Sequence, residues 1–318
     1  MRAIVIDGYG GADRLRLDER PEPVPGPGEL LVDVRAASVN PVDWKIRQGD
    51  LKLILHLGFP YIPGGDIAGE VAAVGPGVTR FRPGDAVAAF VDLKRGGGYA
   101  SRAVVNESAA AAKPDSLSFA QAACLPIAGC TALQALRDHG RLLEGDSALV
   151  TGGAGGVGHF AVQVAVAMGA TVTSTCGPSN VEFVRSLGAE RVIDYTREDF
   201  TRLSDRYHVI LDAVAASSFA ACRGSLNPGG TYITTLPGPG MLFWSAVQTA
   251  VGLVVPRARR ARFLWVKTEA ADIATLGRLA DDGRVTPTVS HTFPLDQAAE
   301  AHRLSEQGHV RGKIVLEA

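Results

Sequence analysis

The segment Leu149-Val-Thr-Gly-Gly-Ala-Gly-Gly-Val-Gly158 restricts this chain more than any other. A mostly apolar run, Ser147–Thr151, leads into Gly153-x-Gly155-x-x-Gly158. Small and apolar residues then continue to residue 168, and a second strand-like run begins at Thr171. The glycines therefore fall between a strand and a helix. There the first glycine permits a tight turn and the second lets the backbone approach a pyrophosphate. The third lets helix and strand pack closely, and the helix N-terminus faces the anion. The competing reading is a glycine-rich turn without a ligand; the complete strand–loop–helix–strand context weighs against it. Gly153, Ala154, Gly155, Gly156, Val157 and Gly158 form the candidate cradle.

The end of the following strand bears on NAD against NADP. An NAD site places Asp or Glu about 20 residues after the glycines. Here the loop reads Thr173-Ser-Thr-Cys-Gly-Pro-Ser-Asn180, and the first acid is Glu182, inside the next helix. With no carboxylate to repel it, a 2′-phosphate is permitted. Ser174, Ser179 and Asn180 offer hydrogen bonds, but the loop has no Lys or Arg. Tyr195 is a further contact, and so is Lys313 if the tail folds back.

The organisation around this loop changes along the chain. In the first third, Gly and Pro cluster between short β-rich runs, as in a rolled, barrel-like β domain. Those runs are residues 2–6, 30–36, 67–74, 86–90 and 99–105. From about Ala120 strands and helices alternate, which implies a parallel sheet covered on both faces. Helices are expected at 155–168, 179–187 and 217–226, and strands at 171–175, 192–193, 209–211, 231–235 and 263–266. The tail carries a helix at 269–281, a β segment near Val285, a helix from Pro294 to about Ser305 and a strand at 313–316. It is too short to stand alone and is assigned back to the first domain. The expected fold is α/β, with a GroES-like β-rich domain over 1–122 and 267–318 and a Rossmann domain over 123–266.

Several functions are disfavoured. The 318 residues carry a net charge of −1, which argues against nucleic-acid binding through bulk charge. The N-terminus has no apolar signal core. The longest apolar stretch, 241–255, is shorter than the roughly 20 residues of a membrane span. Four scattered cysteines read as buried thiols in a reducing compartment, with the cytoplasm as default. None of the seven histidines pairs with another His or Cys at ligand spacing, so no metal site is expected. No G-x-S-x-G elbow is present.

The chain resembles the medium-chain dehydrogenase/reductase superfamily. More narrowly, it is similar to its zinc-free, zeta-crystallin-like quinone oxidoreductases and the plant-type alkenal and enone reductases. The similar stretches span the whole length: residues 37–49, 60–71, 83–87, 97–100, 125–133, the glycine loop, 187–195 and 312–316. Zinc enzymes of the superfamily carry Cys where this chain has Asn40, and Gly-His-Glu where it has Gly64-Gly65-Asp66. The resemblance therefore implies a zinc-free enzyme. It places Asn40 by the nicotinamide and catalytic pocket, and Lys45 where many members have Tyr and plant-type alkenal reductases have Lys. Lys45 could stabilise an enolate oxygen or supply a proton, and Asn40 or the cofactor's own ribose hydroxyl could stabilise that oxygen instead; alternatively Lys45 is a solvated side chain on a short helix. Trp44 reads as packing. Thr131, Ala213, Val214, Leu236, Phe263 and Trp265 fall beside the cofactor. Tyr195 matches a residue near the adenine phosphate, and Asn180 replaces a basic residue there.

These matches imply an NADPH-dependent reductase that passes a hydride to a quinone or to the C=C of an α,β-unsaturated carbonyl compound, bound in a cleft between the domains. A non-catalytic NADPH-binding protein and a dedicated reductase of one biosynthetic intermediate are the alternatives. A homodimer is expected by analogy. Residues 238–262 join an apolar run to Arg257, Arg259, Arg260 and Arg262, which suits a lid or a dimer contact better than a membrane surface.

Overall fold

The computed structural model describes residues 1–235, 258–267 and 269–318. The expectations for Leu236 and for most of 238–262 lie outside those residues. The chain forms two compact units, Met1–Cys130 with Thr268–Ala318, and Thr131–Lys267. The division falls at 130/131 and 267/268, against the expected 122/123 and 266/267.

The first unit opens with an antiparallel ribbon of β1 (Arg2–Val5) and β2 (Arg16–Glu19). The long strand β3 (Glu29–Val39) then organises a larger sheet. It is followed by helix α1 (Pro41–Gln48), β4 (Asp66–Val74), β5 (Ala86–Phe90), β6 (Arg102–Asn106) and β7 (Ala110–Ala112). Pro41 suits the first turn of α1, where its missing N–H has no partner to lose. Gly49 ends the helix at φ +90°, a conformation that glycine adopts freely.

The second unit carries β8 (Ser147–Thr151), helix α2 (Gly158–Ala167), β9 (Thr171–Cys176), helix α3 (Val181–Ser186) and β10 (Arg191–Asp194). It continues through β11 (Tyr207–Asp212), β12 (Leu226–Thr234) and β13 (Arg260–Phe263). Among the described residues these make a parallel sheet in the order β10-β9-β8-β11-β12-β13. This is the doubly wound order, reversing between β8 and β11, where ligands bind beyond the carboxyl ends of the strands. Leu149, Ile210, Phe219, Leu226 and Tyr232 pack together as part of its core.

The chain then returns to the first unit as helix α4 (Ala270–Asp281), β14 (Val289–Pro294), helix α5 (Ala298–Gln307) and β15 (Lys313–Glu317). β15 lies antiparallel beside Ala36–Val39 of β3, while β6 pairs with Glu29–Asp33. The other edge of β3 pairs with β4. Ile4, Leu30, Val32, Ile67, Val87, Ile314 and Leu316 belong to one buried apolar cluster.

Four local expectations are corrected. The strand expected over 99–105 begins at Arg102, because Tyr99 and Ser101 donate their amides to Pro63 and Arg2 instead. Val285 is not in a strand: its amide closes the end of α4 on the Leu279 carbonyl, and the strand starts at Val289. The helix expected over 217–226 is short, Phe219–Cys222 under a Ser218 cap, and Leu226 already opens β12. The strand expected at 263–266 runs over Arg260–Phe263, in register with Thr231–Thr234 of β12.

Candidate active site

The glycine loop lies at the switch point of the parallel sheet, between β8 and α2. Gly152 has φ +64°, and a Cβ there would stand 2.5 Å from Val214. A Cβ on Gly153 would lie 2.0 Å from the Ser174 hydroxyl, and one on Gly158 would lie 2.0 Å from the Gly152 carbonyl. Each side chain would force the turn open. Gly155 is different. Its Cβ would meet only the Gly152 oxygen, at 3.3 Å, so little within the chain itself requires glycine there. That is what a position reserved for backbone approach to a ligand should show. The Gly153 amide donates to Thr175 O at 2.9 Å, fixing the loop to β9. The first turn of α2 follows directly and favours an anion.

The residues expected near the adenosine end divide into two kinds. Tyr195 is 55% exposed and stands beside Gly177, while Ser179 is exposed and Asn180 half-buried on the turn before α3. Ser174 is corrected: it is fully buried, and its hydroxyl donates to Val150 O at 2.9 Å. It supports the floor of the glycine loop, buried and with its one hydroxyl proton already engaged. Of the others in this unit, Val214 is exposed over Gly152, Ala213 is half-buried and Thr131 is buried. Phe263 and Trp265 pack edge to face, with ring centroids 6.4 Å apart.

The first unit holds Asn40, Lys45 and Lys313, together with a buried polar network that the sequence reading missed. The carboxamide of Asn40 donates to Asp66 Oδ2 at 2.9 Å and accepts from the ammonium of Lys313, which also donates to Val39 O at 2.9 Å. Asp66 accepts further from Ser38 Oγ at 2.9 Å and from the Ile127 amide at 3.0 Å. Lys313 is therefore corrected as a phosphate ligand: it is 3% exposed and its ammonium is engaged inside this unit. Asp43 accepts from the Asn40 amide and from Tyr99 OH, whose oxygen lies 3.2 Å from His302 Nε2. Burial pushes Asp43 up to about 6 and Asp66 up to about 7, with Lys313 opposing both. The hint in the sequence was polar residues placed at the ends of apolar β runs: Asn40 after β3, Asp66 opening β4 and Lys313 opening β15.

This network fixes α1, and α1 carries Lys45. The Lys45 ammonium sits 5.4 Å from the Trp44 ring centroid. Partial burial lowers its pKa, against the opposing charge of Asp50. A half-desolvated cation interacts more strongly with developing negative charge than a fully hydrated one.

Residues 187–316 match the zinc-binding dehydrogenase family, and residues 26–115 match the alcohol dehydrogenase GroES-like domain. The chain is 37% identical to the chloroplast envelope quinone oxidoreductase homolog of Arabidopsis thaliana, covering all of this chain and 98% of that protein. The chain belongs to the medium-chain dehydrogenase/reductase superfamily. Within this superfamily it is 35% identical to the chloroplastic NADPH-dependent alkenal/one oxidoreductase of Arabidopsis thaliana, over 99% of this chain and 79% of the other. The solved quinone oxidoreductase from Coxiella burnetii superposes with a TM-score of 0.88 at 34% identity, covering 100% and 99% of the two chains. The GroES-like and Rossmann architecture and the oxidoreductase class follow.

One matched family is described as zinc-binding, so the donor set matters. Among the described residues no group of three or more His, Cys, Asp or Glu could hold a metal ion. Where zinc ligands of the superfamily fall by resemblance, the chain has Asn40 and Gly65. The Asn40 carboxamide is already bound to a carboxylate and an ammonium. That environment does not fit zinc, which takes thiolate, imidazole or carboxylate donors. A dinucleotide does fit the second unit: the glycine cradle is open at Gly155, and the Gly153 and Gly158 close approaches hold it in shape.

Proposed function

We propose that this protein is a zinc-independent, NADPH-dependent reductase of quinones or of the C=C bond of α,β-unsaturated ketones and aldehydes. The observation that carries the reading is the Gly152–Gly158 turn at the sheet's switch point, in a chain whose superfamily relatives include proteins named for quinone and for alkenal/one reduction. When bound, the reduced nicotinamide supplies the hydride.

The protein's own residues bind, orient and stabilise. The glycine loop and the first turn of α2 take the pyrophosphate. Ser179, Asn180 and Tyr195 meet the 2′-phosphate end, without a carboxylate to repel it. Ala213, Val214 and Thr131 contact the nicotinamide ribose side, joined by Phe263 and Trp265. Lys45 stabilises the negative charge that develops on the carbonyl oxygen as the β-carbon is reduced. The enolate then takes its proton from water. Asn40 holds the start of α1 and so the position of Lys45. In this reading the enzyme is cytoplasmic and works as a homodimer.

The test is the loss of NADPH and NADH absorbance by pure, EDTA-treated protein with an ortho-quinone, a para-quinone, a short alkenal, a cyclic enone and a simple aldehyde. Activity with NADPH on quinones or enones that survives EDTA supports the reading and ranks the substrates. Activity confined to the simple aldehyde and abolished by EDTA overturns it. NADPH binding without turnover on any acceptor would mean a non-catalytic binder or a dedicated tailoring enzyme. Sedimentation of the same sample tests the dimer.

A further inference from the structure

Asp212 ends β11, directly opposite Thr151 at the end of β8, on the two strands where the sheet order reverses. It is fully buried and meets four donors. Its Oδ1 accepts from Thr151 Oγ1 at 2.7 Å and from the Ala216 amide at 3.1 Å. Its Oδ2 accepts from Tyr232 OH at 2.8 Å and from the Ser217 amide at 2.9 Å. Each oxygen thus receives one hydroxyl and one backbone amide. The hydroxyls can rotate; the amides cannot. Both amides belong to the loop that follows β11, and that loop needs holding. Its central Ala215 has φ +52°, the left-handed region that costs an alanine. Its Val214 lies against Gly152, the start of the glycine turn.

We propose that Asp212 is a positioning residue that preorganises the cofactor cradle. It pins residues 213–217 over the glycine turn before any dinucleotide arrives, so that binding does not have to order this wall. The inference rests on the NADPH reading for what the cradle holds. It goes beyond that reading in assigning the shape of the cradle to one carboxylate that touches no cofactor. Preorganisation acts on affinity, because ordering a loop on binding subtracts from it.

Asp212→Asn is the informative variant. However the amide is turned, its NH2 group faces one of the two backbone N–H groups, and that part of the loop is released. Thr151→Val is the comparison: it removes a hydroxyl donor from the same carboxylate and leaves both loop amides held, whereas Tyr232 OH also reaches Ser217 O at 3.2 Å and so touches the loop itself. The expected result is that Asp212→Asn raises the NADPH KM and Kd about 10-fold with kcat nearly unchanged. Thr151→Val lowers the melting temperature without moving the KM. An unchanged KM in Asp212→Asn, or the same rise in both variants, overturns the proposal. Should Asp212→Asn fail to fold, amide exchange on the wild-type chain decides. Slow exchange at Ala216 and Ser217 without NADPH supports a preformed loop; fast exchange that slows only when NADPH is added overturns it. A wild-type chain that binds no NADPH defeats the functional reading, and the exchange measurement still decides whether the loop is held.

Discussion

The ammonium of Lys313 donates to the side-chain oxygen of Asn40, fastening β15 to the entrance of α1. Lys313→Met would leave that oxygen and the Val39 carbonyl without their buried donor and remove the cation that opposes the desolvation of Asp66. Breaking a buried charged network on one side costs about 3 kcal/mol. Urea unfolding should show a loss of that size, and a loss below about 1 kcal/mol would mean the contact is incidental.

Lys45→Met tests the charge on α1. Turnover on an enone should fall by about 100-fold, the lower end of what loss of one stabilising donor at a developing oxyanion costs. The KM for NADPH should stay within error, since Lys45 is assigned to the acceptor. Equal loss in both parameters would mean that Lys45 serves packing or cofactor binding.

The glycines of the loop should separate under substitution. Gly155→Ala meets only the Gly152 oxygen at 3.3 Å, so the melting temperature should barely change while NADPH binding weakens at least about 10-fold. Gly158→Ala places a methyl 2.0 Å from the Gly152 carbonyl and should destabilise the fold by about 2 kcal/mol or more. Thermal unfolding and a fluorescence titration of both variants check this. Intact NADPH affinity in Gly155→Ala would remove the cofactor from this loop.

Asn180→Arg supplies a cation on the turn before α3. The preference for NADPH over NADH, as a ratio of kcat/KM, should rise by about 5-fold in low salt and shrink in high salt, as for an exposed charge pair. No change would place the 2′-phosphate elsewhere.

Histidine 302 sets a pH dependence. It is buried against Tyr99, and desolvation with the nearby Arg47 pushes it down to about 3 from 6.5. The folded chain refuses a proton that the unfolded chain binds between those values. The contribution to stability is therefore complete above about pH 6.5 and is lost as pH falls towards 3. Asp43 and Asp66 act the other way, their contribution being lost as pH rises through about 6 and 7. His302→Gln leaves both carboxyls in place and removes only the histidine's share, so the stability of the wild type relative to the variant should decrease as pH falls from about 6.5 to 4. Parallel curves would contradict the assignment.

Much of the second unit was legible because its signals are local. The glycine turn, the apolar strand before it and the helix after it all follow within a few residues. The first unit was harder. In sequence Asn40 pointed to the nicotinamide pocket, Lys313 to a phosphate and Asp66 only to a missing zinc motif, and only the pairing of β3 with β4 and β15 brings the three together. Ser174 looked available because it precedes a loop, yet the alternation of β9 turns its hydroxyl inward beneath Gly153. Asp212 gave one faint signal, an acid closing an apolar strand, with no indication of the loop amides that would converge on it.

The pairing of β15 with β3 also bears on how the chain is made. Lys313 follows Asn40 by 273 residues, so β3 emerges from the ribosome long before its neighbour exists. During synthesis the Ala36–Val39 edge of β3 lacks the strand that covers it in the finished protein, while the whole second unit has already been made. An open strand edge invites pairing with other chains. The chain thus carries an open strand edge until Lys313–Glu317 has been made, and one halted short of Lys313 should self-associate through it.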